Sequence, residues 1–543
     1  MRLFVFHYHL LSGGVTDVVI NSLRAVAGNR SDITEIRLVA GRADNCGHVV
    51  ERIGDVGAPV SFDVLPEIDY SEPTEENDAP RARATALEQV LLERYGADDA
   101  LWWVHNYHLG KNPAFTLALC RIAERSSAPR MLLHVHDFPE CARYENLAYL
   151  TRIAGPSPYP AGPAVRYAVI NERDRALLVD AGVPAERVGL LLNPLPTAAG
   201  GADSREVAER RADATDAHGA PGLDAVSDRV RARLADFAAD HGQRFHPDGP
   251  VLLYPIRTIR RKNVLEIAAI ARLIPHANLV VTLPGLSEPE RPYSQLVRYA
   301  YENRRIHGIW GIGRHEAEYA FTFEDLAHAA NLIVSSSVQE GFGLTFVNAL
   351  RWRRPLLARR LDVLDGIESL FAEYPSTFYD GFRVPMRSPS ITAMGAYLRM
   401  RYNERLSEVD DVLPALARER LESDLDELLS HESIDFSFLP AQMQLTVLGD
   451  LREEGYGALV KAMNGDVISA VEQIPPGDAP DRSKLLSEVL GFESYAHAFG
   501  TLVDSEQTGA PGRFEGVQQK LVKAFARIEQ LRLLLGPIDH ADH

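Results

Sequence analysis

The chain has 543 residues, 46% of them apolar, and a formal net charge of −18 at pH 7. Such a length exceeds what one hydrophobic core usually covers, so at least two domains are expected, while the acidic balance disfavours nucleic acid or an anionic membrane as the main partner. Cys46, Cys120 and Cys141 form an odd set without CxxC spacing, and no long apolar run occurs, so a disulfide scaffold, a structural zinc site and a membrane span are set aside and a cytoplasmic protein is expected.

The opening segment reads as a first β-strand at Arg2–His7 and not as a signal peptide, because it carries His7, Tyr8 and His9 and lacks a small-residue cleavage site. Further strands are expected at Ile33–Val39, Leu101–His105, Arg130–His136, Arg166–Ile170 and Val188–Leu192. Helical periods fall between them at Val15–Val26, Arg83–Tyr95, Asn112–Arg125 and Glu172–Ala181. This alternation predicts a Rossmann-like domain over residues 1–195, a parallel sheet with helices on both faces. The acidic stretch 41–79 has few helix signals and reads as a loop or small β excursion.

Residues 196–249 are rich in Ala, Asp, Gly and Arg and read as a linker carrying a polar surface helix near Ala225–His241. A second alternating block covers 250–387, with strands at Val251–Ile256, Asn278–Leu283, Gly308–Ile312, Leu332–Ser335 and Pro355–Ala358. Its helices are expected at Asn263–Ile274, Tyr293–Asn303, Phe323–Ala330 and Gly343–Trp352. From 388 to 543 the pattern is mainly helical, with Ile434–Gln444 as a packing segment that feeds a helix and a terminus expected to fray. This surplus leaves room for a cap over a cleft or a contact in a homodimer.

Two segments carry chemistry. Ser335-Ser-Ser-Val-Gln-Glu-Gly-Phe-Gly-Leu344 runs from a buried strand through Glu340 and two glycines into a helix, which points backbone N–H groups and a positive helix end at an anion. Tyr254-Pro-Ile-Arg-Thr-Ile-Arg-Arg-Lys-Asn263 clusters four cations at a strand's carboxyl end, where Arg257 and Lys262 could share one diphosphate. Only six of the 57 basic residues are lysines, which makes Lys262 and Lys111 conspicuous, since ammonium and guanidinium are not interchangeable. Taken singly, each segment could be a glycine-packed strand–helix turn or a solvated basic turn. Together they resemble the donor site of retaining GT-B glycosyltransferases, the large family 4 group, over most of residues 1–380.

The resemblance implies a GT-B fold, two Rossmann-like doubly wound domains facing a cleft, with the C-terminal one holding a nucleotide diphosphate-sugar donor. It implies that Arg257 and Lys262 neutralise the leaving diphosphate, that Glu340 binds hydroxyls of the donor hexose, and that Gly341, Phe342, Gly343 and Leu344 cradle sugar and phosphate. Where the family usually has a second Glu, eight positions on, this chain has Asn348, whose amide can still hydrogen-bond a ribose. In the N-terminal half, Gly13-Gly14 matches the family's glycine loop and His136, in His134-Val-His136-Asp137, its active-site histidine. His105, Asn106, His108 and Lys111 follow another strand and are candidates for the pocket of a small polar, soluble acceptor. The implied reaction retains the anomeric configuration with no metal and no cofactor, the departing phosphate oxygen taking the acceptor's proton. Two alternatives stay open on the residues: a sugar phosphorylase on the same fold, and a catalytically silent sugar- or nucleotide-binding protein, which Asn348 would favour. A spaced carboxylate pair of the glycosidase kind is not evident.

Overall fold

The computed structural model describes residues 1–72, 78–196, 223–315, 318–410, 412–475, 477–506 and 510–533. Most of the linker, residues 197–222, and the last ten residues, where fraying is expected, lie outside the described residues. Among those described, one compact unit is built from 1–196 with 409–418 and 484–526, and the other from 223–408, 419–483 and 527–533. No described helix is long and apolar enough to cross a membrane.

The first unit holds a seven-stranded parallel sheet of order β3-β2-β1-β4-β5-β6-β7. Its strands are β1 (Arg2–His7), β2 (Glu35–Ala40), β3 (Val60–Val64), β4 (Ala100–His105), β5 (Arg130–Val135), β6 (Val165–Val169) and β7 (Val188–Leu190). Both faces are covered, so the inner strands read as unbroken apolar runs rather than alternating ones. In β1, Phe4 and Phe6 enter one core with Trp102, while Leu3 and Val5 enter the other with Trp103. Residues 41–79, expected as a loop or small β excursion, supply the edge strand β3 and, beyond that expectation, the helix Cys46–Ile53. An edge strand with one solvated face carries polar residues, Ser61 and Asp63, which masks the strand signal. The late helix Phe492–Val503 packs Tyr495, Phe499 and Leu502 into the second of these cores.

The second unit repeats the plan with six parallel strands in the order β10-β9-β8-β11-β12-β13. They are β8 (Val251–Arg257), β9 (Asn278–Leu283), β10 (Gly308–Trp310), β11 (Leu332–Ser335), β12 (Leu356–Arg359) and β13 (Ser376–Tyr379). A short antiparallel pair, β14 (Arg383–Pro385) and β15 (Ser433–Asp435), precedes the helix Ala441–Asp450. The helix Leu223–Asp240, expected as a surface element of the linker, is part of this unit. It buries Val230, Leu234 and Phe237, spaced to lie on one helical face. In each sheet the winding reverses once, between β1 and β4 and between β8 and β11. The loops that leave the carboxyl ends at those points are where ligands bind in such sheets.

A buried ion cluster ties the second unit together. Arg359, at the end of β12 and 2% exposed, donates to Glu266 Oε2 at 2.5 Å and to Asp435 Oδ2 at 2.6 Å. Tyr379 adds a hydrogen bond to Glu266 Oε1 at 2.8 Å, so a helix and three strands meet at one guanidinium. Burial pushes the Glu266 carboxyl up despite the pull of Arg359, whereas at Asp435 the guanidinium outweighs burial and holds the carboxyl low. Removing one partner of a buried pair strands the other charge. Arg359→Leu is therefore expected to destabilise the second unit by about 3–5 kcal/mol, read as a lower urea midpoint for that unit; an unchanged midpoint would contradict the cluster's role.

Candidate active site

In the second unit, the loop after β8 and the loop after β11 are joined. Val338 N–H donates to the Arg261 carbonyl at 2.9 Å, and Ser336 Oγ donates to the Asn263 carbonyl at 2.9 Å. Tyr254 lies beneath them, its hydroxyl on the Lys262 carbonyl at 2.8 Å and on Ser337 Oγ at 2.7 Å. The β8 register shifts between Tyr254 and Arg257, around Pro255, which has no N–H to give the ladder. That bulge ends the strand at Arg257.

Lys262 Nζ sits 2.5 Å from Glu340 Oε1, and Arg261 Nη1 lies 3.5 Å from Glu340 Oε2. Side-chain exposure is only 12% for Lys262 and 9% for Glu340, so the pair is poorly screened. Burial pushes the Lys262 ammonium below its ordinary range even with Glu340 beside it. At Glu340 burial pushes up, but Lys262 and Arg261 together outweigh it and hold the carboxyl low. Arg257, more exposed, makes its ion pair with Glu290 at 3.5 Å and is close enough for its charge to act on Lys262. The turn between Lys262 and the next helix is fixed by Asn263, left-handed at φ 49°, whose amide donates to Glu266 Oε2 at 2.9 Å. Gln444 in turn donates to Asn263 Oδ1 at 3.0 Å. Gly343 starts the helix Leu344–Arg351 at φ 84°, where a side chain would also press on the Phe346 ring at 2.7 Å. Asn348 is half-buried on that helix and accepts from Arg351 Nη1 at 3.3 Å.

In the first unit, Gly13 and Gly14 leave β1 and begin the helix Gly14–Asn29. Gly13 is extended at φ 169°, and a Cβ on Gly14 would meet nothing within 4 Å, so neither packing nor backbone strain within the protein demands a glycine at 14. His105 closes β4 and His134 and His136 lie on and just past β5. His105 Nδ1 and His136 Nε2 are 2.9 Å apart, and the His136 N–H donates to Asn106 Oδ1 at 2.9 Å. One ring nitrogen each of His105, His134 and His136 lies within 4.8 Å of the others, a spacing that a divalent cation could bridge. Burial above all, then the neighbouring rings, pushes His105 and His134 well below the ordinary imidazole range. Burial takes His136 and His108 down to about 3 and His7 to about 4.

The structure thus brings Lys262 and Glu340 into direct contact with Arg257 nearby, and sets His105, Asn106 and His136 together in the other unit. The acceptor pocket expected from His105, Asn106, His108 and Lys111 does not form as a lining. The first three are at most 2% exposed, and only Lys111 reaches solvent. His108 lies among Phe138 and Tyr159, with neither ring nitrogen bonded. Sequence reading missed Arg261, hidden inside a run of cations, and Arg143 and Arg42, which join the expected Lys111 near Tyr70. Lys111 Nζ lies 5.5 Å from that ring's centroid, and the charges of Arg143 and Arg42 act on its hydroxyl. Arg143 is bonded to Asp137 at 2.9 Å and Arg42 to Asp69 at 2.6 Å.

No protein-family model matches the chain. It is 28% identical over 546 residues, covering 98% of its own length and 99% of the relative's, to a protein of Petrotoga mobilis (strain DSM 10674 / SJ95) described as mannosylglucosyl-3-phosphoglycerate synthase. Among solved structures it is similar to the apo form of the lipopolysaccharide outer core galactosyltransferase WaaB, at 13% identity and TM-score 0.41 over 92% of this chain and 99% of that one. It is likewise similar to the catalytic domain of starch synthase IV from Arabidopsis thaliana bound to ADP and acarbose, at 11% identity and TM-score 0.41 over 87% of this chain and 99% of that one. Two doubly wound parallel sheets, with charged and glycine loops at their switch points, are the architecture that the GT-B resemblance implies. The Petrotoga mobilis relative, matched along nearly its whole length, is named as a synthase.

The histidines set a pH dependence. Each is held neutral in the fold, whereas in the unfolded chain an imidazole titrates near 6.5. Below that pH the unfolded state takes up protons that the folded state refuses, so stability is complete above about pH 6.5 and is lost as pH falls toward the folded values. Each fully depressed imidazole contributes up to about 1.4 kcal/mol per pH unit in that window. Urea unfolding of the first unit is expected to shift to markedly lower midpoints from pH 7 to pH 5. A midpoint that stays level would show the rings to be protonated in the fold.

Proposed function

We propose that the chain transfers a hexose from a nucleotide diphosphate-sugar with retention of configuration and without a metal. The contact that supports this reading is Lys262 on Glu340, flanked by Arg261 and Arg257, at the carboxyl ends of β8 and β11. Lys262 and Arg257 take the charge that develops on the departing diphosphate. Glu340, held ionised by two cations, accepts hydrogen bonds from hydroxyls of the donor hexose. Gly341 to Leu344 offer backbone N–H groups to sugar and phosphate, and Asn348 offers an amide to the ribose. The leaving phosphate oxygen takes the acceptor's proton, so the protein's main work is preorganised positive charge.

In the first unit, His136 is neutral and is oriented by His105 and Asn106, so it can hydrogen-bond the donor hexose without adding charge. The smallness of Gly14, unexplained by its own surroundings, serves a ligand that lies against the start of its helix. The relative's name brings in 3-phosphoglycerate. An anionic acceptor of that kind, a glucosylated 3-phosphoglycerate receiving a mannosyl group, suits the cations Lys111, Arg143 and Arg42 around Tyr70. The reading as a silent binding protein rests on Asn348 alone, whose amide oxygen already has a partner in Arg351. The protein acts in the cytoplasm, where nucleotide-sugars are at hand.

Arg257→Ala and Lys262→Ala are each expected to remove about 3 kcal/mol of transition-state stabilisation, on the order of a hundredfold in kcat/KM. Product formation is followed with GDP-, UDP- and ADP-hexoses in the presence of EDTA. Wild-type turnover and donor affinity in Arg257→Ala would remove the site assignment, and activity abolished by EDTA and restored by a divalent cation would move the chemistry to the three histidines. Gly14→Ala is expected to keep the unfolding midpoint and lose activity by at least tenfold; equal activity would leave the glycine loop without a ligand.

A further inference from the structure

At the amino ends of β8, β9 and β10, the far side of the second sheet from Arg257 and Lys262, lies a cavity of about 370 Å³. Its walls carry Arg244, His246, Arg272, His276, Arg305 and His307. No aspartate or glutamate lines it, although the chain as a whole is acidic. Arg244, Arg272 and Arg305 form no ion pair among the described residues, and neither does the neighbouring Arg452, whose guanidinium donates to the Arg304 carbonyl at 3.1 Å. Of the acidic side chains nearby in sequence three are engaged elsewhere, while Glu453 and Glu454 follow Arg452 on the exposed surface and form no ion pair among the described residues. Glu302 holds Arg298 at 2.6 Å, Asp450 accepts from Ser388 and Ser390, and Asp248 acts on Arg231.

The cations touch one another through histidine. Arg272 Nη1 lies 3.3 Å from His307 Nε2, and His246 Nε2 lies 3.2 Å from His307 Nδ1. Burial, Arg272, Arg244, His246 and Arg452 all push the His307 imidazole down, to about 4, and no negative group opposes them. The helices Val264–Arg272, Arg291–Glu302 and Ala441–Asp450 end here, and basic residues near helix carboxyl ends are ordinary. Each such end contributes about half a negative charge, which leaves roughly two and a half of the four guanidinium charges uncompensated. A residual charge of that size, on forked donors around a cavity, is complementary to a dianionic oxyanion.

We propose that this pocket binds a phosphate monoester, its dianionic head held by Arg244, Arg272 and Arg305 and its organic group filling the remaining volume. It is a second anion site, separate from the donor loops and with no part in the transfer reaction proposed above.

The test is calorimetric titration of the full chain with glycerol phosphate at pH 7.5, with inorganic phosphate and glycerol as comparisons. Because the donor loops also attract phosphate, the background is the Arg257→Ala/Lys262→Ala double variant. In this double variant, and equally with Lys111→Ala added to it, one glycerol phosphate per chain is expected to bind, more tightly than inorganic phosphate. Arg272→Gln and Arg305→Gln are each expected to weaken it at least tenfold, and Arg272→Lys to restore most of the affinity. If Arg272→Gln lowers the unfolding midpoint, Arg244→Gln, at an exposed side chain, gives the same reading. Loss of binding in the double variant, or unchanged affinity in the glutamine variants, would overturn the proposal. Equal affinity for inorganic phosphate would overturn the ester assignment in favour of the free ion. Failure of the donor-site reading would appear only in turnover and leaves these titrations unaffected.

Discussion

A single buried guanidinium governs the geometry of the second unit. Arg359 has no access to water, so its charge must be met by carboxylates, and Glu266 and Asp435 are drawn to it from a helix and from β15. Glu266 then holds the amide of Asn263, Asn263 turns left-handed, and the turn delivers Lys262 to Glu340. Asp435 fixes the segment whose Ser437 and Leu439 carbonyls accept from Arg260. Lys262 is thus held at the end of a chain of hydrogen bonds that starts at a buried charge far from solvent. Preorganisation of this kind has a cost in desolvation, and the cluster offsets it by satisfying every member.

The two units solve opposite electrostatic problems. The loops after β8 and β11 keep charges alive in a half-buried place by pairing them, Lys262 on Glu340. The carboxyl edge of the first sheet does the reverse. It packs histidines against one another and against Trp103, and burial leaves them neutral. Neutral rings suit contact with sugar hydroxyls, and the cations Lys111, Arg143 and Arg42 lie near Tyr70.

The amino ends of the second sheet show a third arrangement, positive charge left without a protein partner. Nothing in the fold needs four arginines there, because three helix ends together present less than half that charge. Acidic residues abound in the chain, yet none lines that cavity, and Glu302 and Asp450 are bound elsewhere. A surface that repels its own histidines and gathers its own cations is most simply read as one side of an interaction.

The alternation of apolar strands and helices fixed the fold class from the chain alone, because parallel strands buried on both faces must be continuously hydrophobic and need helices to return. Spacing alone also placed Arg257, Lys262, Glu340 and the glycines at strand ends, since loops at carboxyl ends follow directly from strand boundaries. Strand β3 was legible only as a small β excursion without bounds, because an edge strand half in solvent loses its apolar signature, and the helix Cys46–Ile53 was not foreseen. Tertiary structure alone decided that His105 and His108 lie buried, that Arg261 shares Glu340, and that Arg244, Arg272, Arg305 and His307 surround one cavity. These are contacts between residues tens of positions apart, and local sequence carries no record of which distant side chain will meet which charge.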